Sequence, residues 1–135
     1  MDDIINTMLE KAKEVYQHAY VPYSSFAVGA VLLTEYGHFY TGANVENASY
    51  TMGQCAEASA IGHMVAREGA SHINKVLIIA NAKSPIVPCG GCLQKLGEFS
   101  DKDTEIHCYT LSGEYKQYCL SDLQPVSFGH DSMES

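Results

Sequence analysis

Two of the five cysteines in this chain stand in Pro88-Cys89-Gly90-Gly91-Cys92, a spacing suited to chemistry. Two thiolates three positions apart at a helix start can hold one zinc ion, and the positive end of the helix lowers thiol pKa. The intervening glycines let backbone N–H groups approach the sulfurs. Alone, such a pair also reads as half of a structural zinc site or as a redox couple. A third cysteine opens Cys55-Ala56-Glu57, again where a helix should begin. This spacing puts a metal ligand and a carboxylate at one helix entrance, so Glu57 can reach a metal-held water without ligating the metal. Three ligands, Cys55, Cys89 and Cys92, leave the fourth tetrahedral position open, as in a catalytic rather than a structural zinc site. The sequence offers no convincing fourth ligand. Cys108 and Cys119 fall in late strand segments without a metal-spaced partner, and His107 adjoins Cys108 on the opposite face of its strand. His18, His38, His63, His72 and His130 are scattered and read as structural or solvated.

The elements that must position these residues follow from pattern. Asp2 or Asp3 can cap a first helix whose apolar positions, Ile4 through Ala19, fall at spacings of three and four, and which should stop near Val21-Pro22. Residues 27–34 are nearly all apolar and suit a buried strand; Glu35-Tyr36-Gly37-His38 suits a hairpin turn, with residues 39–44 returning. A second helix should run from Cys55 to about Glu68 and end at Gly69. Residues 75–80 form a short β-branched run, Leu93, Leu96 and Phe99 follow Cys92 at helical spacing, and residues 105–111 and 115–118 read as two late strands. This order predicts an α/β domain with helices packed on a mixed sheet.

The chain of 135 residues is long enough for one domain, taken as 1–135. Its 46% apolar content fills one core, and a unit of this size leaves apolar surface for association to cover. Eight Lys plus Arg against sixteen Asp plus Glu give a formal charge of −8, which repels polyanions and argues against a nucleic-acid groove. A small, weakly charged ligand suits that balance better. The odd cysteine count argues against a closed disulfide framework, and the acidic Asp2-Asp3 lacks the positive character of a secretory signal. No apolar run reaches the roughly 20 residues of a membrane span. A cytoplasmic protein with reduced thiols and no membrane segment is expected.

In order along the chain, Cys55-Ala56-Glu57 and Pro88-Cys89-Gly90-Gly91-Cys92 resemble the signature of zinc nucleobase deaminases. Tyr23-Ser24-Ser25-Phe26-Ala27-Val28-Gly29-Ala30 and Gly42-Ala43-Asn44-Val45-Glu46-Asn47-Ala48-Ser49-Tyr50 look like the nucleoside-binding segments of the small cytidine deaminases. Leu123-Gln124-Pro125-Val126-Ser127-Phe128 is similar to their C-terminal stretch. The resemblance implies a three-layer α/β/α cytidine-deaminase-like fold with a five-stranded mixed sheet, a homotetramer, and one zinc ion per subunit. It implies hydrolytic deamination of cytidine and deoxycytidine to uridine and deoxyuridine plus ammonia, in pyrimidine salvage. Carried over by position, Cys55, Cys89 and Cys92 bind the metal and Glu57 shuttles protons. Asn44 and Glu46 bind the ribose, Phe26 packs against the nucleoside, and the Ala56 backbone meets the pyrimidine. Tyr50 and Phe128 reach sites across subunit boundaries.

Physical reading bears on these roles separately. Asn44 and Glu46, two apart in an extended segment, point to one side and can address one sugar. They can equally bind the backbone of their own loop. Phe26 and Phe128, taken singly, read as core residues.

Two positions depart from the family pattern, which has arginine where this chain has Ala58 and Leu93. Three thiolates and a hydroxide around Zn²⁺ sum to −2, so the site needs compensating positive charge. The two helix N-termini supply some, and Lys95 is a nearby cation in sequence whose amine the sequence does not place. A functional zinc site with altered water acidity or zinc retention is expected. The competing readings are a deaminase of a modified cytosine nucleoside or related base, a catalytically weakened or silent deaminase-like protein, and a purely structural zinc protein.

Overall fold

The computed structural model describes residues 2–133. Helix α1 (Asp3–Tyr16) opens as its sequence demands, with the Asp2 carboxylate accepting from the Ile4 N–H at 2.9 Å. Such a cap stabilises a helix by about 1 kcal/mol. The helix ends at Tyr16, short of the expected Val21-Pro22. The chain leaves it to pair with the segment beyond the hairpin: Tyr20 N–H donates to Asn44 O at 3.0 Å, and Glu46 N–H donates to Tyr20 O at 2.8 Å. Proline restricts only the residue before it, Val21, whereas this backbone pairing also holds Tyr20 out of the helix.

Strands β1 (Val28–Thr34) and β2 (Phe39–Ala43) form the expected hairpin, turned by Gly37 at φ 80°. A 3-10 turn at Tyr50–Met52 precedes α2 (Ala56–Glu68), which stops at Gly69, φ 90°, with the Gly69 N–H on Val65 O at 3.0 Å. Strand β3 (Ile73–Ala80) starts earlier than its apolar run suggests. It is followed by α3 (Gly90–Glu98), β4 (Glu105–Thr110) and β5 (Tyr115–Cys119). A short α4 (Leu120–Leu123) goes unannounced by the sequence pattern; Asp122 anchors its start by accepting from Cys119 N–H at 2.9 Å.

The five strands lie in the order β2-β1-β3-β4-β5, with β3 and β4 parallel and the other pairs antiparallel. The parallel pair requires a crossover, which α3 supplies. Alternation along the strands divides the core between the two faces. Val31, Leu33, Leu77 and Ile79 meet Ile5, Met8 and Ala12 of α1 on one face. Ala30, Leu32, Val76, Ile78 and Ile106 meet Ala56, Ala60, Met64, Leu93 and Leu96 on the other. The result is the expected three-layer α/β/α arrangement with a five-stranded mixed sheet. None of its described helices is long and apolar enough to cross a membrane.

One glycine decides how closely the site-bearing helix docks. A Cβ on Gly42 of β2 would stand 2.3 Å from Ala60 N and 2.4 Å from Ala56 O, so α2 lies directly on the strand backbone. This contact fixes the end of α2 that carries Cys55 and Glu57.

Candidate active site

Helices α2 and α3 present their N-termini together on the same face of the sheet. Cys55 and Cys89 are their N-caps, both in extended backbone, and neither sulfur caps a helix N–H. Their carbonyls start the helices instead, accepting from Ser59 N–H at 3.1 Å and Leu93 N–H at 2.9 Å. The thiols are thereby left for other work, at the ends of the helix dipoles that favour negative charge.

One donor atom from each of Cys55, Glu57 and Cys92 lies within 4.8 Å of the other two. Cys92 and Glu57 are buried. The Cys55 and Cys92 sulfurs are in bonding contact, although the Cα atoms stand 7.4 Å apart. Disulfides usually span about 4.4 to 6.8 Å between Cα atoms, so this backbone is set wider than a disulfide requires. Two thiolates converging on one metal ion suit that width. Cys89 is exposed and lies outside the three-residue cluster, although it is the N-cap one turn before Cys92. The donor set fits zinc: soft sulfurs at two helix N-termini, with a carboxylate beside them. Glu57, expected beside the ligands, stands within their cluster.

Burial pushes the Glu57 carboxyl above its ordinary pKa, while a bond from its own backbone N–H and the charge of Lys95 act the other way. A carboxyl raised toward neutrality suits proton transfer in both directions. Cys108 lies buried near this group; burial first, then the charge of Glu57, push its thiol up to about 12. It is therefore an inert core residue. No histidine among the described residues joins the cluster. His72 pairs with Asp101 at 3.0 Å, His107 with Glu105 at 2.8 Å, and His130 with Glu98 at 2.8 Å. His38 binds Glu68, and His63 lies 3.3 Å from Thr41 O.

The segments expected to hold a nucleoside enclose a cavity of about 330 Å³, lined by Tyr23, Ser24, Glu46, Asn47, Tyr50 and Gly53. Pockets for small molecules begin near this size, about 300 Å³. Glu46 accepts from Tyr23 N–H at 3.0 Å, from Ser24 N–H at 3.1 Å and from the Ser24 hydroxyl. The Ser24 hydroxyl bond holds its pKa down, helped by the two backbone bonds and opposed by partial desolvation. Asn44 is outside the cavity lining: its Oδ1 accepts from Val28 N–H at 2.9 Å and its Nδ2 donates to Phe26 O at 2.8 Å. Both side chains thus bind the backbone of the neighbouring loop, and Asn44 fixes the stretch that carries Phe26. Each keeps further capacity, since an amide oxygen or carboxylate has more than one lone pair and an amide nitrogen two protons.

Phe26 is partly exposed, and Ala56 is buried at the start of α2. Tyr50 and Phe128 are 79% and 62% exposed, so neither is a core residue of this chain. Sequence reasoning does not single out Ser24, Tyr23, Asn47 and Gly53 as individual site residues. The hydroxyl pair Ser24-Ser25, facing an acidic residue two positions beyond Asn44, is the signal that could have found the first of them.

A family model described as the cytidine and deoxycytidylate deaminase zinc-binding region matches residues 3–108. The chain is 36% identical to a cytidine deaminase of Halalkalibacterium halodurans over 126 residues, covering 93% of this chain and 95% of that protein. It is 39% identical to a cytidine deaminase of Mycoplasma pneumoniae over 119 residues, 87% of this chain and 89% of the relative. Among solved structures, a cytidine deaminase from Burkholderia pseudomallei superposes with a TM-score of 0.88 at 33% identity. That match covers 95% of this chain and all of the other.

Proposed function

Because the chain belongs to the cytidine and deoxycytidylate deaminase zinc-binding family, we infer that it deaminates cytidine hydrolytically, with Glu57 as the proton carrier. The observation that supports this most is the buried Glu57 within 4.8 Å of two cysteine sulfurs at paired helix N-termini. Cys55, Cys89 and Cys92 would hold the zinc ion. When bound, zinc acts as a Lewis acid that lowers the pKa of a coordinated water.

Everything else falls to the chain's own residues. Attack of the water oxygen on C4 of cytosine breaks ring aromaticity, so N3 must gain a proton. Glu57 takes the proton that water releases and delivers it to N3. It then passes the remaining hydroxyl proton to the amino group at C4. The C–N bond breaks with its electron pair on nitrogen, ammonia leaves, and the C4 carbonyl of uridine remains. The raised pKa of Glu57 favours its part in this relay.

Asn44 and Glu46 would hold the ribose, Phe26 would pack against the nucleoside, and the Ala56 backbone would meet the base. The exposed Tyr50 and Phe128 suit residues lent to a neighbouring subunit in a homotetramer. Deoxycytidine is proposed as a second substrate, and pyrimidine salvage as the setting.

The test is ammonia release from cytidine, deoxycytidine and adenosine, with zinc content measured on the same preparation. Release from the two cytosine nucleosides by a zinc-containing protein is expected. Zinc without deamination of either nucleoside would contradict the reading.

A further inference from the structure

We propose that Lys95 is the charge-compensating residue of the metal centre, holding zinc among its thiolates by countering their negative charge from the α3 side. This rests on the zinc-deaminase reading above and assigns a role to a residue outside the ligand set.

Three thiolates around a divalent ion leave a net negative site, and a nearby cation lowers the cost of keeping all three sulfurs deprotonated. The positions next to Glu57 and Cys92 supply none: Ala58 carries no charge, and Leu93 is buried in the core between sheet and helix. Among the described residues of α2 and α3, the Lys and Arg side chains are Arg67, in the last turn of α2, and Lys95. Arg67 is thus at the far end of its helix from Cys55.

Lys95 is placed differently. It follows Cys92 by three residues, so the two are neighbours on one face of α3. Helical side chains lean toward the N-terminus, which carries the Lys95 stem back over the turn that holds Cys92. A cavity of about 370 Å³ opens between the two helices, lined by Ala58, Ile61 and Phe99 together with Gln94, Lys95 and Glu98. The single methyl of Ala58 leaves that space to the lysine. Lys95 thus shares this space with the residue that directly follows Glu57, and sits one helical turn beyond Cys92. No ion pair joins Lys95 to a carboxylate among the described residues, and Glu98, which lines the same cavity, is paired with His130 at 2.8 Å.

The experiment is competition for zinc between the full-length protein and a chromophoric chelator, at low and at about 1 M salt. Lys95→Met keeps the aliphatic stem and removes the charge. It should weaken zinc binding about fivefold at low salt, the scale expected of an exposed charge. The gap should narrow at about 1 M salt, where screening acts within about 3 Å. Lys95→Arg should hold zinc within about twofold of the parent, and adding Ala58→Arg to Lys95→Met should restore the loss.

Zinc affinity unchanged in Lys95→Met would overturn the proposal. So would a loss shared equally by Lys95→Arg, or one indifferent to salt, since either marks packing rather than charge. A parent protein that takes up no zinc would overturn the metal reading itself and this assignment with it.

Discussion

Glu46 shows how one side chain can bind its own loop and still line a cavity. Its carboxylate already gathers the backbone N–H groups of Tyr23 and Ser24 and faces the cavity that those residues line. Glu46→Gln would keep the shape and remove the charge. Charge-assisted hydrogen bonds contribute about 1.5 to 3 kcal/mol, so KM for cytidine should rise by about tenfold or more, with kcat less affected. Steady-state kinetics on the variant checks this. The chemistry-bearing residues are legible in the sequence because Cys55-Ala56-Glu57 and Cys89-Gly90-Gly91-Cys92 put thiols at metal-ligand spacing at two helix starts. The grip of Glu46 on Ser24 and the cavity that Lys95 shares with Ala58 are not, since both depend on how separate segments meet in space. Cys89, which spacing groups with Cys92, lies outside the cluster of donor atoms: spacing places a residue along the chain, not its sulfur in space.

Among the elements, α2 sets the geometry, and Gly42 sets α2. Gly42→Ala would drive a methyl to 2.3 Å from Ala60 N, pushing the helix off β2. Overpacking of this kind costs about 1 to 3 kcal/mol, and the displaced Cys55 and Glu57 should lose zinc and activity together. A Cβ added at Gly62, within α2, would meet nothing within 4 Å, so Gly62→Ala should stabilise by roughly 0.5 to 1 kcal/mol through helix propensity. Thermal or denaturant unfolding of the two variants separates these opposite outcomes. Helical spacing locates α1, α2 and α3, each of which buries one face, and apolar runs locate β1, β3 and β4, which are buried on both faces. β2 and β5 follow as the strands after the turns at Gly37 and Gly113. Helical spacing overruns α1, since the pairing of Tyr20 with Asn44 and Glu46 is a contact between distant segments. It passes over α4, whose four residues are too few to show a helical period.

For the molecule as a whole, acid stability and assembly follow from two features. Burial alone would raise the Glu68 carboxyl, but hydrogen bonds from Ser71, His38, Tyr40 and Thr34 outweigh it and hold the pKa at about 2, against an ordinary 4.5. A lowered folded pKa contributes stability above pH 4.5 that is lost as pH falls toward about 2. The melting temperature of the parent should therefore drop more steeply across that window than that of Glu68→Gln. Exposed Tyr50, Met52, Val126 and Phe128 leave apolar side chains in water on a solitary chain, which suits the proposed homotetramer; light scattering should then find four chains per particle. The proposed turnover depends in the end on one carboxylate, Glu57. Cytidine conversion, followed by absorbance on parent and Glu57→Gln preparations of equal zinc content, tests this most directly. Loss of roughly 10² to 10⁴ in kcat is the predicted result for Glu57→Gln; equal turnover by the two proteins would contradict it.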